Sequence, residues 1–178
     1  MKIAADTRIP FPRERVYTTF RDRFAQIVPY LSDMRAFYLK SRQQTGSRVD
    51  CVSEWHGGGD IPGVAKAFLS EAMLAWTEYD TWRSDDWALD WHIETHAFTQ
   101  AVHCAGCNRF LEAGGATRIE TRGAFIIDAK QLQGVPPFLA RRIARIVEDL
   151  LGQKIANNLE QVSQGVRQYL QQRERAPQ

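Results

Sequence analysis

Residues 136–172, PPFLARRIARIVEDLLGQKIANNLEQVSQGVRQYLQQ, decide how the rest of the chain is read. Pro137 suits a first helical position, where its missing N–H costs nothing. Beyond it Leu139, Ile143, Ile146, Leu150, Ile155, Leu159, Val162, Val166 and Tyr169 recur every three or four residues. That period predicts one helix over about 137–172 with a continuous apolar stripe. Arg141, Arg142, Arg145, Glu148, Asp149, Gln161 and Arg167 fall on or near its other side. At 1.5 Å per residue the helix is roughly 50 Å long. Gly152 and Gly165 weaken it and predict a bend near either. A helix of that length with one oily face must lie along an equally long apolar surface.

Working outward, the composition predicts a single domain over 1–178: 178 residues, 44% apolar and 25% charged, are enough for a full core. The net charge of +2, with acids and bases mixed throughout, carries no footprint for nucleic acid. Arg141, Arg142 and Arg145 read as a solvated helix face. No apolar run reaches membrane-spanning length, and MKIAADTRIPFPRE does not have the pattern of a signal peptide. Three cysteines, an odd number, predict reduced thiols and a cytoplasmic location.

Ahead of the helix the periods are mostly those of strands. Lys2 to Pro10 alternates, and Pro10 and Pro12 end it. Arg13 to Arg23 and Phe24 to Leu31 read as two short helices, the second interrupted by Pro29. Strand patterns follow at 37–46, 48–58, 73–87, 88–98, 101–113 and 116–129, with turns at Thr45-Gly46-Ser47 and Gly114-Gly115. A short, weakly helical piece, VAKAFL, is expected after the glycine-rich GGGDIPG. The order predicts an α+β domain with its helices on one face of an antiparallel sheet.

Four segments carry a family resemblance: IPFPRERVYTTFRD at 9–22, AWTEYDTW at 75–82, GAFIID at 123–128 and IANNLEQVSQGVRQYL at 155–170. With the element order they resemble the START-like, or SRPBCC, superfamily, which includes polyketide cyclase/dehydrase-like proteins, the birch-pollen allergen and lipid-transfer domains. The resemblance implies a helix-grip fold: a curved seven-stranded antiparallel sheet wrapped around the long C-terminal helix. It also implies a cavity between them for a hydrophobic ligand, entered between loops and that helix. Gly57-Gly58-Gly59 with Ile61, Pro62 and Val64 reads as a lid at such a mouth.

Strand parity predicts the inward side chains, because charged residues must face water. That places Ile119, Thr121, Phe125 and Ile127 inside on the last strand and Trp91, Ile93 and Thr95 inside on 88–98. Cys104, Asn108 and Phe110 point inward on 101–113, as do Cys51, Ser53 and Trp55 on 48–58. On 73–87, Glu78 and Asp80 outside put Thr77 and Tyr79 inside, but this exposes Trp76 and Trp82, a conflict the pattern leaves open.

Several constellations invite other chemistry. His92-Ile-Glu94-Thr-His96 lacks the His-Glu order of a zincin helix, and in a strand its histidines stand about 13 Å apart. With Cys104 and Cys107 it also falls short of a zinc deaminase, whose ligands sit on helices. Cys104 and Cys107 point to opposite faces of a straight strand, so a shared metal or redox role requires a bulge, which Gly106 permits. Gly57-Gly58-Gly59 is followed by no Gly-Lys-Ser/Thr and cradles no phosphate. For acid–base work the candidates are Tyr79, His92, His96, Glu78 and Asp80, of which parity turns all but Tyr79 outward.

These observations predict a protein that binds or transports a hydrophobic small molecule or lipid, with no catalytic residue, metal or cofactor assigned. The expected wall is Trp55, Tyr79, Trp91, Ile93, Asn108, Phe110, Ile119 and Phe125 from the sheet and Leu150, Ile155, Asn158 and Leu159 from the helix, with Tyr79 and Asn108 orienting one polar end. A polyketide cyclase/aromatase-like enzyme requires in addition an acid or base buried in the cavity. A co-chaperone-type interaction module requires an exposed apolar patch, for which Trp76, Trp82 and Trp87 are the candidates.

Overall fold

The computed structural model describes residues 1–58, 74–132 and 136–175, apart from the side chains of 150, 152–154 and 156–157. Strand β1 is Lys2–Ile9 and helix α1 is Arg13–Ile27, followed by a 3-10 turn at Val28–Tyr30. Then come β2 (Met34–Thr45), β3 (Arg48–Gly57), β4 (Ala75–Arg83), β5 (Ala88–Thr95), β6 (Val102–Ala113) and β7 (Ala116–Ile127). Helix α2, Pro137–Arg175, closes the chain. The VAKAFL helix and most of the expected lid fall outside the described residues.

The strands form one seven-stranded sheet in the order β1-β7-β6-β5-β4-β3-β2. Every neighbouring pair is antiparallel. Strands β2 through β7 lie side by side in sequence order, and only β1 joins from a distance, along the free side of β7. Between β6 and β7 the two-residue turn Gly114-Gly115 has φ of +61° and +77°. A two-residue hairpin needs left-handed backbone at both positions to match the strand twist, and glycine takes it without a Cβ clash.

Helix α1 contains a break at Arg23 (φ −126°, ψ 16°), so the two short helical pieces of the sequence are one kinked element, with Pro29 in the 3-10 turn beyond it. Its apolar face buries Val16, Tyr17, Phe20 and Ile27. Tyr17 is the hub of this end of the core, with its ring edge-on to Trp82, Trp87 and Phe110 at 5.3, 5.3 and 5.2 Å. Such pairs contribute about 0.5–1.5 kcal/mol each beyond their buried area.

Helix α2, 39 residues long, runs along the inner face of the sheet. Ala140, Ala144, Val166 and Leu170 are buried, while Arg141, Arg142 and Arg145 face outward as the stripe predicts. Polar clips hold it. Glu148 accepts from the Ile127 N–H at 3.0 Å, Ser163 donates to Thr7 Oγ1 at 3.0 Å, and Tyr30 donates to Gln172 at 2.8 Å. Gly165 has a packing role: a Cβ there would lie 2.9 Å from Ile27 Cγ2 and 3.1 Å from Tyr30 Cβ. The missing side chain lets α2 cross close over the end of α1 and its 3-10 turn. Among the described residues no helix is long and apolar enough to cross a membrane.

Candidate functional site

The helix does not seal against the sheet along its whole length. Two chambers, of about 460 and 210 Å³, lie between them. Trp55, Glu78, Asn108, Asn158 and Leu159 line both. The larger chamber extends under α1, past Phe20 and Phe24, and reaches Phe37, Leu39 and Arg42 on the edge strand β2. The smaller is the oilier, walled by Trp76, Trp91, Ile93, Phe125, Leu151 and Ile155, with Met34 and Leu74 at its rim.

Most of the expected wall comes together here. Trp55, Trp91, Ile93, Asn108, Ile119, Phe125, Ile155, Asn158 and Leu159 each line one chamber or both. The side chain of Leu150 is outside the described residues. Phe110 points inward but lines neither chamber: it is 1% exposed, enclosed by Tyr17, Phe20 and Trp82, and belongs to the packed core. Asn108 accepts from Trp91 Nε1 at 3.1 Å, which fixes the indole across the floor.

Strand β4 is turned the other way from its sequence reading. Tyr79 lies on the outer face, its ring stacked on His92 at 4.5 Å and its hydroxyl donating to Glu94 at 3.1 Å. Thr77 meets His96 at 2.9 Å, and Thr81 donates to Asp50 at 2.7 Å on that same side. Trp76, Glu78, Asp80 and Trp82 face inward. The reason is the size of the apolar groups at stake. Trp82 is 3% exposed against Tyr17, and Trp76 stacks on Trp55 with ring centroids 6.0 Å apart. Two indoles outweigh two carboxyls, because a carboxyl can shed its charge by keeping its proton and an indole cannot shed its apolar surface. The same inversion dissolves the exposed tryptophan patch: Trp76 lines the cavity, Trp82 is buried, and Trp87 packs on Tyr17.

Glu78 and Asp80 are therefore acids inside the cavity. The surface that remains open on Glu78 is cavity wall rather than outer surface. Burial raises its pKa from 4.5 to about 7, while the nearby indole N–H groups of Trp76 and Trp55 pull it back. Asp80 is raised well above 3.8, first by burial and then by the charge of Glu78. Four buried polar atoms around the acids complete no hydrogen bond: Trp55 Nε1, Trp76 Nε1, Asp80 Oδ1 and Asn158 Oδ1.

The cysteines do not form a site together. The register of β6 on β7 runs without interruption through Cys104↔Phe125, Gly106↔Gly123 and Cys107↔Arg122, so no bulge brings Cys107 round to Cys104. Cys104 is buried among inner-face residues, and burial pushes its thiol up to about 12. Cys51 is likewise pushed up to about 11, mainly by burial and then by Asp80. A thiol that resists ionisation is a poor nucleophile. Among the described residues no three His, Cys, Asp or Glu side chains converge as a metal site.

The sheet gripping a long helix around an inner cavity is a helix-grip arrangement, and solved structures share that fold. A protein of Thermus thermophilus superposes with a TM-score of 0.66 at 19% identity, covering 93% of this chain and 97% of that one. The Zhui aromatase/cyclase of Streptomyces sp. R1128 gives 0.65 at 14% identity over 99% and 96%. Norcoclaurine synthase of Thalictrum flavum, in complex with dopamine and hydroxybenzaldehyde, gives 0.60 at 11% identity over 92% and 84%. No protein-family model and no curated protein sequence matches the chain.

Proposed function

We propose that the protein takes up a hydrophobic small molecule or lipid between its sheet and helix α2. The observation that carries this reading is the pair of adjoining chambers, walled mainly by Trp55, Trp76, Trp91, Phe125, Ile155 and Leu159 with a few placed polar groups. Mostly apolar walls supply affinity through burial, at about 25 cal/mol per Å², and isolated polar groups supply orientation. Solved relatives in fold whose names state an aromatase/cyclase and a dopamine complex are consistent with small-molecule use of this space. Native mass spectrometry of the protein as purified, repeated after organic extraction, tests it. The expected result is an added mass that extraction removes. A clean unliganded mass, with no displacement of a fluorescent fatty acid, refutes uptake.

A second reading, an enzyme that moves protons on a ketone-bearing ligand of the cyclase kind, is favoured by Glu78 and Asp80. An acid whose pKa lies near working pH can donate a proton in one step and take one in the next. The check is hydrogen–deuterium exchange α to the carbonyl of a bound hydrophobic ketone, followed by NMR. Glu78→Gln is expected to slow it by about 100-fold, the usual scale of a general acid–base contribution. Exchange no faster than in buffer for the unaltered protein sinks the enzyme reading and leaves the carrier.

A further inference from the structure

Resting on the uptake reading, the four unsatisfied atoms and the two acids, Glu78 on both chambers and Asp80 on the larger, specify the ligand's head group. We propose that the ligand is an amine whose ammonium group sits between Asp80, Glu78 and Asn158, with its apolar body in the smaller chamber. An ammonium is a compact cation with three donors and no acceptor. Asp80 Oδ1 and Asn158 Oδ1 are buried acceptors without a donor, which is what such a group satisfies. Trp55 Nε1 and Trp76 Nε1 are buried donors near enough to the Glu78 carboxyl to lower its pKa, yet neither completes a well-formed hydrogen bond to it. Trp55 is itself only 5% exposed and lines both chambers. When a cation arrives, Glu78 ionises and offers these two N–H groups a charged acceptor, a stronger bond than a neutral one. All four orphans are then satisfied at once. A carbonyl or hydroxyl ligand brings no positive charge to take the place of a carboxyl proton, and a carboxylate ligand adds a third acid to two.

The proton balance follows. Below about pH 7 both acids hold protons in the free protein, because burial raises both pKa values. An incoming R–NH3⁺ displaces one carboxyl proton to solvent and replaces it as the positive partner. Uptake of the amine therefore releases a proton and strengthens as pH rises through the acid's range. The other titratable groups around the pair are Cys51 on β3 and Cys104 on β6, both kept as neutral thiols by burial, and Asp33, ahead of β2, lines the smaller chamber. Arg42 on β2 and Arg21, Asp22 and Arg23 on α1 line the outer part of the larger chamber. Of these, Arg21 and Arg42 both pair with Asp22, at 2.7 and 3.1 Å. Among the described side chains α2 contributes no charge to either wall.

The test uses three probes of one skeleton, 4-phenylbutylamine, 4-phenylbutanol and 4-phenylbutanoate, titrated by tryptophan fluorescence and calorimetry. The amine is expected to bind at least about tenfold more tightly than the alcohol near pH 8, with the carboxylate weakest. Its advantage should shrink as pH falls toward 6, and calorimetry in two buffers near pH 6.5 should register a released proton. Asp80→Asn and Glu78→Gln should each bring the amine down to the alcohol's affinity. Near-ultraviolet circular dichroism of those variants checks that the tryptophan-lined cavity is still built. Alcohol or carboxylate binding as tightly as the amine overturns the head-group assignment and leaves uptake standing. If none of the three binds, uptake itself fails and the assignment with it.

Discussion

Replacing Gly106 by valine should destabilise the protein by about 3 kcal/mol or more, at the top of the range for overpacking. Gly106 on β6 sits opposite Gly123 on β7, and the Trp91 indole lies across both. Even a Cβ at 106 would stand 2.4 Å from Trp91 Cζ2, 2.5 Å from the Arg122 carbonyl oxygen and 2.9 Å from Gly123 Cα. Two of those three neighbours are backbone, so relief requires the sheet itself to open, and the third is pinned by its bond to Asn108. For a chain of this size that loss lowers Tm by roughly 6–12 °C. Ala105→Val, one residue away on the exposed face, should stay within about 0.5 kcal/mol, as surface changes do. Thermal unfolding followed by circular dichroism compares the two. A fall of less than about 1 kcal/mol for Gly106→Val contradicts the close approach.

The second large effect lies in the pH dependence of stability. A carboxyl whose pKa is raised by folding holds its proton more tightly in the folded chain than in the unfolded one. Between the unfolded value of 4.5 and the folded value of about 7, Glu78 must lose in the folded state a proton that the unfolded chain has already released. Stability therefore falls as pH rises through that window and levels off above it. At about 1.4 kcal/mol per unit, the loss is on the order of 3 kcal/mol. Asp80, raised from 3.8 by the same burial, adds to it in the same direction. Opposite in sign, Glu54 is held down at about 2 by Lys40 and then His56, and Asp22 is lowered by Arg21. Those groups lose their contribution only below the ordinary carboxylate range, so the windows separate. Urea unfolding near pH 5 and pH 8 should show the unaltered protein weaker at the higher pH. Glu78→Gln should match it near pH 5 and exceed it by about 2–3 kcal/mol near pH 8, since the amide has no charge to desolvate. Equal stability of the unaltered protein at the two pH values, with no gain from Glu78→Gln, rules out a buried acid at 78.

Local chemistry determined the elements of this protein. The 3.6-residue stripe from Leu139 to Tyr169 made α2 legible, because a helix that long has only one way to hide its apolar face. Gly46 and Gly114-Gly115 marked the hairpins through the positive φ that only glycine takes freely. On β3, β5, β6 and β7, charged residues alternate cleanly with apolar ones, so parity alone placed Trp55, Trp91, Ile93, Asn108, Ile119 and Phe125 on the inner face. It could not tell Phe110, enclosed by Tyr17, from a side chain on a cavity wall, since both point inward. Gly106 read as room for a bulge, whereas its job is to let Trp91 lie flat, a contact from the neighbouring strand.

On β4 the rule that charge faces water contradicted the rule that tryptophan does not, and tertiary structure settled it. Trp82 finds Tyr17 from α1, and Trp76 finds Trp55 from β3; neither partner is visible from residues 75–83. Those contacts carry Glu78 and Asp80 inward with them. A sequence states that a residue is acidic, but whether it is charged depends on the groups that the rest of the chain folds around it.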